Sequence, residues 1–332
     1  MKITKREIFS LISSLIVLVF GLVIFVDGIF KPFELYGQEK VFEVRKEESL
    51  WQIGQNLEKQ NLVQHRIFFD TAVILKNGAK KLQAGTYQIS PAMTPLEMAK
   101  KIISGDVAKE ILTIPEGWNI RDIDYYLKTR GFAQDNEFLQ ASNGDYSAEF
   151  SFLKDNPKNL NLEGFLFPDT YHLRAGDDSE TLVRKMLDNF DKKLAPELKL
   201  EIDNQGKTVF EIINMASLLE EEVLSAADKR IVAGILWKRI ELNMFLNVDA
   251  SLVYGLGRKI SGSDTKTDFP YNTYKYKGLP PGPISNPGLD SILAAIYPEK
   301  SPYLYYLSTS DGKTIFGKTL EEHNRAVVKY LK

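Results

Sequence analysis

The chain has 332 residues, of which 44% are hydrophobic and 26% are charged, and its formal net charge is −2. This composition is that of an ordinary globular protein with room for about two domains. The near-neutral charge argues against a nucleic-acid partner, because phosphate binding requires a concentrated basic surface. Cysteine is absent, which excludes disulfides, thiolate metal sites and a cysteine nucleophile.

The N-terminal segment predicts a membrane anchor. Ile8–Val26 is an uncharged apolar run long enough to cross a bilayer as a helix. Basic residues precede the run: Lys2, Lys5 and Arg6. This bias predicts a cytoplasmic N-terminus. A cleavable signal peptide is the alternative, but the run is long and no small-residue cleavage site follows it. We expect a tail at residues 1–7, a transmembrane helix at residues 8–28 and an external body.

The external body begins with a predicted strand–helix–helix–strand unit at residues 38–105. Its strands are predicted at Val41–Val44 and Ala84–Ile89, and its helices at Ser49–Gln60 and Arg66–Asn77. This order of elements resembles the LysM module, which binds aminosugar glycans. The alternative is a scaffolding domain that only spaces the rest of the chain from the membrane.

Residues 106–332 mix helices and short strands without regular alternation, which predicts an α+β fold. A helix predicted from Thr94 to about Ile103 precedes this region. Within the region the predicted elements are a strand at Glu110–Ile114, helices at Asn119–Gly131, Ser179–Ala195 and Leu289–Ile296, a hairpin of Tyr303–Ser308 with Thr314–Phe316, and a last helix capped by Thr319 and Glu322. Two irregular segments rich in aromatic residues, Leu162–Tyr171 and Tyr271–Gly288, suit walls of a sugar-binding cleft. A buried loop and a plain connector are the respective alternatives.

The segment Val209–Asn243 contains the candidate chemistry. At about 100° per residue its apolar side chains form one stripe, which predicts a core-facing helix. Glu220 and Glu222 lie on opposite shoulders of this stripe, so only one of them can face a given substrate atom. Glu221 points away from the stripe, beside Asn214 and Ser217, and we expect it in water.

Glu222 is the better candidate for a proton donor. Apolar residues surround it on its helix: Met215, Leu218 and Leu219. Burial of this kind disfavours the charged form and raises a carboxyl pKa toward the range of a general acid. Ser225 is a candidate cap for a second helix, which would place Glu222 near a helix end. The alternative is a solvated acidic face paired with Lys229 and Arg230.

Several segments carry a family resemblance. They are, in chain order, the N-terminal anchor, AGTYQIS, EGFLFPDTY, MASLLEEE, VDASLVYG and YNTYKYKGLPPGPISNPG. In this order they resemble the endolytic murein transglycosylases, the MltG or YceG-like family, over nearly the whole chain. The resemblance assigns the essential acid, the second glutamate of a Glu-x-Glu pair, to Glu222. The chain departs from the family at Glu221, where lysine is familiar, and in VDAS, where a proline often follows the aspartate.

The resemblance implies non-hydrolytic cleavage of the β-1,4 bond between N-acetylmuramic acid and N-acetylglucosamine, with formation of a 1,6-anhydro end. No metal or organic cofactor is implied. Further motif positions are implied to orient sugar or to support Glu222: Glu163, Asp169, Tyr171, Glu220, Asp249, Asn272 and Tyr274. The implied partners are peptidoglycan strands and the penicillin-binding polymerases, and the implied location is the external side of the bacterial cytoplasmic membrane.

Two other functions compete with this interpretation. A muramidase-type hydrolase would need a second carboxylate across the scissile bond. A membrane-tethered glycan-binding scaffold would need no chemistry. The three histidines, His65, His172 and His323, are far apart in sequence, so we expect them to be structural.

Overall fold

The computed structural model describes residues 5–107, 109–174, 176–309 and 311–330. Its first helix, α1, covers Lys5–Phe30, and the stretch Ile12–Phe30 has a mean hydropathy of 2.5 with only 6% of it buried. This length and composition fit a single-pass membrane anchor. The end of α1 packs on the helix that contains Phe68, because Ile29 is buried and the rings of Phe25 and Phe68 lie 5.9 Å apart.

The chain divides into two compact units. Unit 1 comprises the residues up to Ile111 together with His172–Asp177, and unit 2 comprises Leu112–Tyr171 and the residues from Asp178 onward. After α1, unit 1 contains β1 (Lys40–Val44), α2 (Leu50–Lys59), α3 (Arg66–Leu75), β2 (Gly85–Ile89) and α4 (Pro95–Ser104).

The predicted strand–helix–helix–strand order is present in unit 1. Strands β1 and β2 pair antiparallel, from Lys40 opposite Ile89 to Val44 opposite Gly85. Alternate side chains of each strand, including Phe42 and Tyr87, are fully buried against the helices. Helices α2 and α4 both begin with a capping box, so their start points are fixed by local sequence.

The remaining elements are mainly helical. They are β3 (Lys109–Thr113), α5 (Ile120–Thr129), α6 (Glu137–Ser142), β4 (Thr170–Arg174), α7 (Ser179–Lys193), α8 (Pro196–Asn204), α9 (Val209–Glu222), α10 (Ala226–Glu241), α11 (Asp249–Leu256), α12 (Leu289–Ile296), β5 (Tyr305–Ser308), β6 (Thr314–Gly317) and α13 (Leu320–Tyr330), with short 3-10 turns at Ser151–Leu153 and Asp264–Lys266. Strands β3 and β4 form one two-stranded sheet, and β5 and β6 form another. Helices and short strands are therefore mixed, as predicted, but β4, α8 and α11 were not predicted from the sequence.

Helix α9 lies in the middle of unit 2 and packs against α8, α10, α11 and α12. Asn214 and Ser217, beside which Glu221 was predicted to lie, are both buried. The Asn214 side-chain amide donates to the Pro280 carbonyl at 2.7 Å, and the Ile284 N–H donates to the Ser217 hydroxyl at 3.0 Å. Pro280 and Ile284 belong to the irregular segment Tyr271–Gly288, and these two polar side chains of α9 form hydrogen bonds with its backbone.

The interpretation of Leu162–Tyr171 as a cleft wall is also wrong. Its aromatic side chains belong to the core, where the Phe165 ring lies 6.1 Å from Phe152 and 5.5 Å from Phe190. The fully buried Asn286 accepts hydrogen bonds from the Gly164 and Leu166 N–H groups at 3.0 Å each. The segment is a buried loop whose backbone is satisfied by a distant side chain.

Candidate active site

Glu222 is the last residue of α9, and Ser225 caps α10 by accepting from the Asp228 N–H at 3.4 Å. The side chain of Glu222 faces a cavity of about 530 Å³. The cavity wall combines carboxylates, aromatic rings and a few aliphatic side chains: Glu221, Glu222, Arg239, Leu246, Asn247, Asp249, Tyr274, Tyr305, Tyr306, Leu307, Ser308, Leu320, His323 and Val327. The break between the two helices thus places the end of α9, with Glu221 and Glu222, at a space of ligand size.

Hydrogen bonds from the β5 strand and α11 fix the position of Glu222. The Tyr306 hydroxyl donates to Glu222 Oε2 at 3.0 Å, and the Ser308 hydroxyl donates to the Glu222 main-chain carbonyl at 2.8 Å. The backbone N–H of Ala250, in the first turn of α11, also donates to the carboxylate. A carboxyl held in this way keeps one orientation toward the cavity.

Burial raises the pKa of Glu222 from 4.5 to about 7. The Tyr306 hydrogen bond opposes this rise because it stabilises the charged form, while the nearby Asp249 carboxylate adds to it. A carboxyl with a pKa near neutrality is partly protonated at pH 7 and can both donate and accept a proton.

A second carboxylate lies in the same cavity. Asp249 is the first residue of α11, and the Tyr274 hydroxyl donates to its Oδ1 at 2.6 Å. Burial and the Asp249 charge raise the pKa of Tyr274, so this phenol stays protonated. Glu222, Asp249 and Tyr274 are the predicted site residues that the structure brings together.

Arg239 holds two walls of the cavity to each other. Its Nε donates to the Leu304 carbonyl and its Nη1 to the Leu246 carbonyl, each at 2.7 Å. The guanidinium lies 5.0 Å from the centre of the Tyr305 ring. Because its hydrogen-bond donors are directed to backbone carbonyls, we assign Arg239 to the shape of the cavity.

Glu220 lies outside the cavity, as the helical angles predicted. Its carboxylate pairs with Lys229 at 3.1 Å, and the two side chains are only 10% and 6% exposed. It also accepts from the Ser291 hydroxyl at 2.6 Å and from the Gly288 N–H at 3.0 Å. Glu220 therefore connects α9 to α10 and to the first turn of α12.

Glu221 is exposed, as predicted, and it borders the cavity. Partial burial of its carboxyl raises its pKa to about 7, against a hydrogen bond with Ser285 that lowers it. Two carboxyls near the cavity thus have a pKa close to neutrality.

Among the other predicted site residues, Glu163 is buried at 3% exposure and does not line the cavity. It accepts from the Ile120 N–H and the Tyr254 hydroxyl at 3.1 Å and from the Asn286 amide at 3.0 Å. Burial raises its pKa to about 8. Glu163 joins three distant segments of unit 2 and has a supporting position.

Asp169, Tyr171 and Asn272 also lie away from the cavity. Asp169 accepts from the Asn189 amide at 2.9 Å, and the buried Tyr171 hydroxyl donates to the Phe167 carbonyl at 2.5 Å. The fully buried Asn272 donates to the carbonyls of Thr265 and Thr267, at 3.1 and 2.7 Å. All three hold loops in place.

Several residues of the cavity were not predicted from the sequence. Tyr306 and Ser308 lie in a hairpin that was predicted, but no role was predicted for either residue. His323 of α13 was expected to be structural, yet it borders the cavity, where burial lowers its pKa and keeps it neutral at pH 7. The only local indication was the tyrosine-rich Tyr303–Ser308 strand. In the part of the chain that the structure describes, no three acidic or histidine side chains are grouped for metal binding.

Comparisons with known proteins give one consistent family. Residues 42–329 match the profile of the YceG-like family. An endolytic murein transglycosylase of Bacillus subtilis strain 168 is 33% identical over 295 residues, covering 84% of this chain and 81% of the relative. The enzyme of the same name from Streptococcus pneumoniae serotype 2 is 32% identical over 311 residues, and the match spans 56% of that longer protein. A crystal structure of a YceG-like protein from Listeria monocytogenes aligns with a TM-score of 0.58 at 32% identity, over 88% of this chain and 100% of that one.

Proposed function

The chain belongs to the YceG-like family, and we propose that it is a membrane-anchored endolytic murein transglycosylase with Glu222 as its general acid and base. The observation that carries this proposal is the cavity at the end of α9, where burial raises the pKa of Glu222 to about 7 and Tyr306 orients its carboxyl. The relatives named endolytic murein transglycosylase supply the reaction class.

In the proposed reaction, protonated Glu222 donates its proton to the oxygen that links N-acetylmuramic acid to N-acetylglucosamine. The bond between the muramoyl C1 and that oxygen breaks, and the N-acetylglucosamine end leaves as an alcohol. The Glu222 carboxylate then takes the proton of the muramoyl C6 hydroxyl, whose oxygen bonds to C1 and closes the 1,6-anhydro ring. The proton returns to Glu222, so no water is consumed and one carboxyl suffices.

The surrounding residues support this double use of one carboxyl. The donors Tyr306 and Ala250 stabilise the charged form, while burial and Asp249 stabilise the neutral form. The two effects together keep the pKa near the working pH, which is the best value for a group that gives and takes a proton. In this proposal Asp249 and Tyr274 form hydrogen bonds with sugar hydroxyls, which is supported by the position of both side chains in the cavity wall.

The finer assignments follow from the same proposal. The basic residues before α1 favour a cytoplasmic N-terminus, with residues 106–332 acting as the catalytic domain outside the membrane. The β1–α2–α3–β2 order supports a LysM-like, glycan-binding role for residues 38–105. We also propose that the enzyme works beside the penicillin-binding polymerases, since these supply the strands it would cleave.

The test is digestion of purified peptidoglycan by the full chain in detergent, with mass analysis of the fragments. Wild type should release fragments with 1,6-anhydro ends, and Glu222→Gln should release none. Glu241→Gln is a matched control, because Glu241 is an exposed glutamate at the end of α10. An active Glu222→Gln protein would refute the assignment, and no fragments from any variant would indicate a glycan-binding scaffold.

A muramidase-type hydrolase is the second candidate, because Asp249 lies in the same cavity as Glu222. Hydrolysis in ¹⁸O-labelled water would place the label on a new reducing end, whereas the transglycosylase incorporates no label. A hydrolase that uses Asp249 as base or nucleophile would lose nearly all activity in Asp249→Asn. The transglycosylase should retain cleavage in this variant, with its pH optimum moved downward.

A further inference from the structure

A second groove lies beside the proposed active site. It has a volume of about 600 Å³, and its wall includes Glu116, Trp118, Asp122, Tyr125, Tyr126 and Glu221. All of these residues belong to unit 2. Glu221 borders both this groove and the cavity that contains Glu222. The proposed reaction at Glu222 gives the groove no role.

The turn that forms one side of the groove is held rigidly. The Gly117 N–H donates to the Asn286 carbonyl at 3.0 Å. The Asn286 N–H and its side-chain amide both donate to the Trp118 carbonyl, each at 3.0 Å. Because Asn286 is itself fully buried, the Trp118 ring is presented from a fixed backbone. A ligand would therefore meet a preformed surface.

Gly117 marks the junction of the groove with the cavity. Its φ of +82° favours glycine, and a Cβ at this position would lie 2.9 Å from Glu221 Oε1. The turn thus lies close against the Glu221 carboxyl. Because Glu221 borders both the cavity and the groove, the two spaces adjoin at this side chain.

The side chains of the groove suit a carbohydrate. Tyr125 is 70% exposed and Trp118 is partly exposed, with its ring meeting Tyr126 edge to face at 5.3 Å, so both rings can stack on sugars. The Glu116 and Asp122 carboxylates can accept hydrogen bonds from hydroxyl and acetamide N–H groups. The same carboxylates disfavour phosphate-bearing ligands.

We propose that this groove binds sugars of the same glycan strand on one side of the bond being cut, so that the strand occupies the cavity and the groove together. The proposal rests on the proposed function. Cleavage inside a strand requires sugars on both sides of the reacting bond, and the cavity around Glu222 provides only one part of that path. Contacts with these remote sugars would then favour long strands over short ones.

The experiment compares long uncrosslinked glycan strands with short muropeptide oligomers as substrates of the full chain in detergent. Tyr125→Ala and Trp118→Ala should each raise KM for long strands about tenfold, which corresponds to roughly 1.4 kcal/mol per ring. Their kcat on long strands and their rate on short oligomers should stay at the wild-type level. Tyr36→Ala, at a tyrosine that is 93% exposed in unit 1, is the control and should change neither constant.

Two outcomes would overturn the groove proposal alone, because the inactivity of Glu222→Gln would still support the proposed function. One is an unchanged KM in both ring variants, and the other is an equal loss of rate on long and short substrates. If wild type cleaved nothing, binding would still test the groove. In a Trp51→Phe background, which removes the exposed tryptophan of unit 1, titration of Glu222→Gln with long strands should quench tryptophan fluorescence, and additional Trp118→Phe should remove that quenching. Quenching that persists would reject the groove as a binding site.

Discussion

The hydrogen bond from Tyr306 to Glu222 makes a prediction about the pH dependence of cleavage. Tyr306→Phe removes the hydroxyl that donates to Glu222 Oε2 at 3.0 Å and leaves the ring in place. A hydrogen bond to a charged group contributes about 1.5–3 kcal/mol, and one pKa unit corresponds to about 1.36 kcal/mol. Because the lost bond favoured the carboxylate, we expect the pKa of Glu222 to rise from about 7 to roughly 8–9.

The assay is the rate of glycan cleavage as a function of pH. The reaction needs protonated Glu222, so activity falls as pH rises through its pKa. Since burial also raises the pKa of Glu221 to about 7, the profiles should be measured in a Glu221→Gln background. In that background Tyr306→Phe should move the alkaline midpoint upward by roughly 1–2 pH units.

Tyr303→Phe is the matched control for this measurement. Tyr303 precedes the same strand, and its ring packs against Phe316 at 5.3 Å without bordering the cavity. Its midpoint should equal that of the parent protein. A midpoint in Tyr306→Phe that stays fixed or moves downward would refute the reasoning that this phenol stabilises the Glu222 carboxylate.

Three further changes test the electrostatics and the support of the site. The pKa of Glu222 in the folded protein, about 7, exceeds its ordinary value of 4.5. The contribution of protonated Glu222 to the free energy of unfolding is therefore fully present below pH 4.5 and is lost as pH rises through 7. Glu222→Gln should therefore increase the free energy of unfolding above pH 7 by up to roughly 3 kcal/mol and change it little below pH 4.5, as measured by denaturant titration at both pH values. Glu220→Gln leaves the buried Lys229 charge unpaired and should destabilise the fold by about 3 kcal/mol in urea unfolding; recovery in a double variant with Lys229→Met would confirm that cause, and an unchanged single variant would contradict it. Asn286→Ala removes four buried hydrogen bonds and should cost about 3 kcal/mol, whereas a loss below about 1 kcal/mol would mean that water replaces the amide.

Local sequence determined much of this protein. The apolar run marked α1, capping boxes marked the starts of α2 and α4, and the helical angles separated Glu220 from Glu222. These features depend on hydrogen bonds and side-chain spacing within a few residues, so they can be predicted from the sequence. The end of α9 after Glu222 could be predicted for the same reason, because Ser225 caps the next helix through a local hydrogen bond.

The tertiary structure decided which polar faces are covered and which residues share the cavity. Asn214 and Ser217 lie off the apolar stripe of α9, on the side of Glu221, but a loop about seventy residues further along covers them. Tyr306 reaches Glu222 across 84 residues of sequence, and Glu221 meets the Trp118 groove through Gly117. Periodicity reports the polarity of a helix face but not what packs on it. Buried polar groups must find hydrogen-bond partners, and here those partners come from distant segments that only the folded chain brings together.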